Sequence, residues 1–446
     1  MADASRELLE DFFARHAVET VILCGTDLIG KQRGKRVTVP YFREAAVKGI
    51  RLASFINQAA LLDEPFPDIL EGGVPDLVGR PDLSTLQLAP WEPAAAIVFL
   101  DWHESDGSPH PLCVRTLLRD QTRALADLGH QVRAAFEYEF FLVPQGAERP
   151  GLAIGQDDAS GMPEEIQCYG IMEGGRDEAL LSRLRAALPE IVEGVIPEWG
   201  QGQREANLRP SGAVAAADNA VLLKLAVKTL AAREGFTASF MAKWRSDRSG
   251  SSAHLHLSLW DAAGRPSFHA AEAPQGLSPL LLAWLAGQVA LCRETAIFHA
   301  PFVNSYRRFQ PGSFAPTKVT AGLDNRSTAF RILNDRPEAT RIEHRVGGAD
   351  LNPYLSLAAI LAAGRHGLTG SCPAAPLLTG NTYTAEAPPL PAILRDALAE
   401  AAASPTLPQV IPTSLTTALV KLLQLEADLV EQVVPDSERQ RYFAWA

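Results

Sequence analysis

The sequence predicts an α+β protein in two parts, a small N-terminal domain over residues 1–108 and a larger domain over 109–446. Three observations carry this. Strand-like and helix-like patterns are mixed along the chain without the regular alternation of a βαβ protein. Several strand patterns are apolar on one face and carry Glu, His and Arg on the other, where Lys, Thr and Ser would be ordinary. A chain of 446 residues, 47% hydrophobic and 21% charged, can also fill two or three cores.

Leu8, Leu9, Phe12 and Phe13 recur at helical spacing, so a helix over 5–15 opens the chain. Strands follow over Thr20–Asp27 and Lys35–Val39, joined through a Gly/Lys/Arg turn, and then a short helix ends near Gly49. A Pro- and acid-rich loop is expected over 63–81, with strand pieces at 86–88 and 95–101. In the larger part, helices are expected over 111–128 (with Gly129 as its C-cap), 178–188, 218–234, 277–295, 352–366, 391–403 and 413–434. Strands are expected over 133–143, on both sides of the Gly200/Gly202 turn, and over 236–241, 253–260, 326–333 and 341–346. Residues 144–164 and 374–391 read as loops.

The net charge of −11 and the lack of a Lys/Arg cluster argue against nucleic acid as a partner. The five cysteines are scattered and form no CxxC pair, so neither a zinc ribbon nor a disulfide framework is indicated. The N-terminus lacks a signal peptide's basic start and apolar core, and the longest apolar tract, near 280–291, is too short to span a bilayer. A soluble cytoplasmic protein without membrane association is the expectation.

The chemistry starts in RAAFEYEFFLV, Arg133–Val143. On a strand Phe136, Tyr138, Phe140 and Leu142 share one face, and Glu137 and Glu139 the other. For this stretch alone a solvated carboxylate face is the ordinary reading. Three further strands repeat the pattern. His254, His256 and Ser258 share a face, as do Arg341, Glu343 and Arg345, while Arg326 is set against Arg331 in RSTAFRIL. Glu198 and Glu205 flank the Gly-rich turn. Five glutamates and a histidine suit two hard divalent ions such as Mg²⁺ or Mn²⁺. Arginines 308, 326, 331, 341 and 345 could neutralise phosphate and carboxylate oxygens. The residues alone thus point to a two-metal site beside an arginine cluster, and to phosphoryl chemistry on an anionic substrate. A two-metal phosphohydrolase stays open at this point.

With FEYEFFL, EWGQGQRE, FMAKW…SGSSAHLHLSL, NSYRRFQPGSFAP, DNRSTAFRI and TRIEHRVGGADLNPYL in this order, nearly the whole chain resembles the glutamine synthetase family. The resemblance implies an N-terminal β-grasp domain and a catalytic domain with a curved antiparallel sheet and flanking helices. It also implies a homo-oligomer, a dodecamer of two hexameric rings whose sites are completed by a neighbour's N-terminal domain. Glu139, Glu198 and Glu205 would hold one metal, and Glu137, His254 and Glu343 another, with two to three ions per site. Arg308 and Arg345, with the backbone near Gly250, would grip a glutamate-like acid. Arg326 would face the transferring phosphate, and Arg331, Arg341, His256 and Ser258 would contact ATP. Arg326 and Glu139 are thereby the catalytic candidates.

The chain departs from ammonia-using members in two places. No acid stands between Lys48 and Leu62, where they carry an ammonium-binding aspartate, and Phe314 stands in PGSFAP where they carry a glutamate. This pattern resembles the γ-glutamylamine and γ-glutamylpolyamine synthetase branch, in which glutamate is joined to a primary amine. Phe314 would either wall the amine pocket or merely pack a loop. Trp244, Ser252 and Ala253 also replace usual residues near the acid site, so an acid other than glutamate stays open. Asp63, Glu64 and Asp68 are the candidates to hold the distal ammonium of a polyamine. The alternatives are an ammonia-using enzyme with an atypical ammonium site and a non-catalytic ring-forming relative.

Overall fold

The period-two patterns become two sheets in the protein, a computed structural model that describes residues 3–65, 71–145, 166, 168–172, 175, 177–370 and 372–445. Asp68 and nearly all of the loop expected over 144–164 lie outside the described residues. The chain begins with α1 (Asp3–Arg15), β1 (Thr20–Thr26), β2 (Gln32–Thr38), α2 (Val39–Lys48), β3 (Ile50–Ala53), β4 (Asp76–Pro81), β5 (Gln87–Leu88) and β6 (Ala95–His103). These strands make a sheet in the order β2-β1-β6-β4-β3, with β5 also on β6. The β1–β6 pair is parallel, and the other pairs are antiparallel.

Strand β6 explains how this small sheet sits. Its sequence AAIVFLDW is a nearly continuous apolar run, the mark of a strand buried on both faces. Ala96, Val98, Leu100 and Trp102 pack with Val39, Phe42 and Ala45 of α2. Ile97 and Phe99, on the opposite face, join the main core of the molecule. A helix laid over one face of a mixed sheet gives the N-terminal part its β-grasp character.

The larger part runs α3 (Val114–Ala126), β7 (Gln131–Pro144), α4 (Glu178–Ala187), β8 (Val192–Pro197), β9 (Gln203–Leu208), α5 (Ala213–Arg233), β10 (Phe236–Ser239) and β11 (Ala253–Trp260). It continues with α6 (Pro279–Ala290), α7 (Ala296–His299), β12 (Ala321–Leu323), β13 (Phe330–Leu333), β14 (Arg341–His344), α8 (Pro353–Thr369), α9 (Leu394–Ala403), α10 (Leu407–Val410), α11 (Thr413–Glu431) and α12 (Asp436–Tyr442). Its sheet has the order β12-β13-β14-β11-β7-β9-β8, and β10 pairs with the end of β7. Every pair is antiparallel except β12–β13. No helix among the described residues is long and apolar enough to cross a membrane.

Helices cover the apolar face of this sheet. Helices α6 and α8 approach so closely that a Cβ on Gly287 would lie 2.2 Å from the Ala363 carbonyl oxygen, and one on Gly367 would lie 2.1 Å from that of Ala283. A polar clamp ties the layers together. The buried Arg115 of α3 forks onto both Asp218 oxygens of α5 at 3.0 Å and onto Asp101 of β6 at 3.0 Å, and the Tyr354 hydroxyl of α8 donates to Asp218 at 2.6 Å. Such a pair tolerates burial because nearly every lone pair and proton has a partner.

Several expectations are corrected. Residues 76–81, expected in a loop, form β4, because pairing with both β3 and β6 outweighs the local turn signals of Gly79 and Pro81. The strand expected from Arg326 begins only at Phe330. Asn325 accepts from the backbone N–H and hydroxyl of Ser327, and the Thr328 N–H donates to the Asn325 carbonyl, so the Asn-Arg-Ser-Thr stretch closes a turn instead. The helix expected over 277–295 stops at Ala290, and the one expected from Asp218 starts at Ala213.

Candidate active site

The ladder register brings the candidate ligands together. Glu139 on β7 lies directly opposite Glu205 on β9, and Glu198 follows the end of β8, which pairs with β9. Glu137 on β7 lies opposite His254 on β11, and His256 lies opposite Glu343 on β14, leaving Glu343 diagonal to His254. Two clusters result, Glu139/Glu198/Glu205 and Glu137/His254/Glu343, each offering three ligand atoms within 4.8 Å of one another. The carboxylate face of β7 is therefore not solvated, since Glu139 is only 7% exposed.

The two clusters differ in electrostatics. In the second, His254 Nδ1 lies 2.8 Å from Glu137 and 3.5 Å from Glu343. Burial pushes the Glu137 carboxyl up, but His254 and His256 outweigh it and hold it well below the usual range. Glu343 is likewise opposed by burial, yet Arg345 and the histidines draw it down to about 2. Arg345 pairs with Glu343 directly, and Arg331 bonds it at 2.8 Å. In the first cluster no guanidinium among the described residues is in contact. Burial and the neighbouring Glu198 push Glu139 up to about 7. Burial, with Glu137 and Glu139, pushes Glu205 up to about 10.

This all-oxygen set, short of positive charge, fits a hard divalent cation. The second set also fits, because the buried His254 Nε2 has no hydrogen-bond partner among the described residues.

Gln203, which sequence reasoning missed, positions the first cluster. Its Nε2 lies 3.1 Å from Glu139, 2.9 Å from the Gly250 carbonyl oxygen and 3.2 Å from Ser251 Oγ, while its Oε1 accepts from the Gly200 N–H at 3.0 Å. The Ser252 N–H donates to the same Glu139 oxygen at 2.8 Å. A glutamine two residues before a metal-type glutamate, directly after the Gly200/Gly202 turn, is the signal that could have found it.

His256, Ser258 and Arg341 line one cavity of about 480 Å³ that reaches Glu137. Arg133 and Trp260, also missed, line it as well, with the guanidinium 3.9 Å from the ring centroid. Arg331 is absent from that lining and is held by Glu343 and Asp324 instead. Arg308 is buried and donates to the carbonyls of Arg345, Val346 and Gly347 and to Ser252 Oγ. Gly250 packs on it, since a Cβ there would lie 2.5 Å from Arg308 Cγ. Arg326 is exposed on its turn, with its charge felt at Glu198. Phe314 is half-exposed and touches Trp199.

The model of the glutamine synthetase catalytic domain matches residues 111–442. Among curated proteins, the chain is 35% identical to the glutamate–isopropylamine ligase of a Pseudomonas species over 87% of each chain. It is 33% identical to the γ-glutamylethanolamide synthetase GlnA4 of Streptomyces coelicolor over 98% of this chain and 95% of that one. The γ-glutamylputrescine synthetase PuuA of Escherichia coli is 32% identical over 84% and 81%. Among solved structures, a GmaS/ADP complex superposes with a TM-score of 0.86 at 27% identity, covering 98% of this chain and 99% of that one.

Proposed function

Because this chain belongs to the glutamine synthetase family, we propose that it is an ATP- and Mg²⁺-dependent carbon–nitrogen ligase joining glutamate to a primary amine through a γ-glutamyl phosphate. The observation that carries the reading is the pairing of two intact three-ligand clusters with Phe314 in place of an ammonium-holding carboxylate. In the first step a glutamate side-chain oxygen attacks the γ-phosphorus of ATP and ADP leaves. In the second the amine nitrogen attacks the acyl carbon, phosphate leaves and the nitrogen loses a proton.

The chain's own residues divide the work. Divalent ions, held by Glu139/Glu198/Glu205 and Glu137/His254/Glu343, would offset charge on the transferring phosphoryl group. His256, Ser258 and Arg341 hold the nucleotide in their shared cavity. Arg326, exposed on its turn, faces the phosphoryl oxygens. Arg345 exchanges its bond to Glu343 for the acid substrate, while Arg308 shapes the loop that receives it. Arg331 acts through Glu343, which it orients. We take Mg²⁺ or Mn²⁺ as the metal, with two to three ions per site. We also take residues 1–108 and 109–446 as the two domains, a cytoplasmic location, and a dodecamer of two hexameric rings.

The test is phosphate release with glutamate, MgATP and a panel of amines. Release that requires a primary amine supports the reading. Release with ammonia alone at ordinary concentrations would favour a glutamine synthetase with an atypical ammonium site. No binding of MgATP by calorimetry would favour a non-catalytic ring former.

A further inference from the structure

Trp199 and Phe314 are both left 49% exposed, and their rings meet edge to face with centroids 6.0 Å apart and 71° between planes. Both are anchored to the carboxylate site. Trp199 follows Glu198 in the chain. Phe314 adopts φ 58°, a left-handed backbone that a bulky residue seldom takes. That conformation is pinned from the site side, because Arg345 donates to the Phe314 carbonyl at 3.1 Å and the Tyr383 hydroxyl to the next carbonyl, Ala315, at 3.1 Å. The aromatic corner is thus held by the same guanidinium that pairs with Glu343.

A second ammonium would need a free acid, and the two expected ones among the described residues are engaged. Asp63 is bonded to Lys31 at 2.8 Å and to Arg33 at 2.7 Å, and Glu64 accepts from the Leu62 N–H at 3.1 Å. An aromatic corner alone offers a distal ammonium less than the hydration it gives up, whereas it gains by covering an alkyl group.

We propose that Trp199 and Phe314 together wall the amine pocket, and that the preferred nucleophile is a monoamine with a compact apolar substituent rather than a diamine. This rests on the ligase reading above. Trp199 is then a specificity-determining residue that touches the amine substituent.

The test compares isopropylamine, putrescine and ammonium by steady-state phosphate release at saturating glutamate and MgATP. The wild type is expected to favour isopropylamine over both others, by roughly tenfold or more. Trp199→Ala should lower kcat/KM for isopropylamine by roughly ten- to a hundredfold, mainly through the amine KM. Trp199→Phe should recover most of the loss, which separates pocket from folding. Putrescine equal to or better than isopropylamine in the wild type overturns the proposal and leaves the ligase reading standing. So does a Trp199→Ala variant that slows all three nucleophiles alike with unchanged amine KM. No release with any nucleophile overturns the ligase reading itself, and the pocket with it.

Discussion

Replacing Glu139 by Gln should make the metal-free protein more stable while removing its activity. In the wild type, burial and the neighbouring Glu198 raise the Glu139 carboxyl from 4.5 to about 7. The folded state therefore binds this proton more tightly than the unfolded chain does, and stability is lost as pH rises from the unfolded value through about 7. At about 1.4 kcal/mol per tenfold change in acidity, the full penalty above pH 7 is about 3 kcal/mol. At pH 5 most of it is absent. The substituted glutamine keeps the existing bonds, because the Ser252 N–H and the Gln203 amide both donate to a single Glu139 oxygen that an amide carbonyl can replace. Its new NH₂ can donate to Glu198 or Glu205.

In EDTA at pH 8 the variant should melt a few degrees above the wild type, since about 1 kcal/mol moves a midpoint by roughly 2–4 °C in chains of 150–250 residues and less in longer ones. The gap should shrink towards pH 5. Added Mn²⁺ should raise the wild-type midpoint more than that of the variant, which keeps only the Glu137/His254/Glu343 set intact, and amine-dependent phosphate release should fall by roughly a thousandfold or more. A variant that melts below the wild type in EDTA, responds equally to Mn²⁺ or keeps full turnover would refute the reasoning.

Phe314→Glu should shift the ratio of ammonium to isopropylamine kcat/KM towards ammonium by roughly tenfold or more, because it puts a negative group in place of the ring that meets Trp199; an unchanged ratio counts against the pocket. Arg115→Ala leaves Asp218 buried without its cation and Asp101 with Arg119 alone, and should cost about 3–5 kcal/mol in a denaturant melt. Gly287→Ala should force α6 and α8 apart at the Ala363 carbonyl and cost about 1–3 kcal/mol, with a lowered thermal midpoint as the readout.

Much of the site was legible because strand alternation maps sequence onto faces without reference to partners. The spacing of Glu137 and Glu139, of His254 and His256, and of Arg341, Glu343 and Arg345 places each set on one side of its strand. Where alternation does not apply, legibility failed. Arg326 belongs to a turn set by Asn325, and its position depends on side-chain-to-backbone bonds that compete with strand pairing. Strand β4 was hidden by Gly79 and Pro81, and its existence depends on β6 supplying a partner. Gln203 looked like a turn residue and became the link between Glu139 and the Gly250 loop.

The sequence by itself determined the ligand types and the faces they occupy, since these follow from residue identity and strand period, and its resemblance to the family marked Phe314 as standing where ammonia-using members carry an acid. Only the tertiary structure decided which ligands meet. Register across β7, β9, β11 and β14 sorts them into one set compensated by Arg331 and Arg345 and one set without a guanidinium in contact among the described residues. Trp199 and Phe314 are 115 residues apart in the chain, yet their rings touch. Electrostatic compensation and pocket shape depend on distances between strands and loops, and those are fixed by hydrogen-bond register and packing rather than by local pattern.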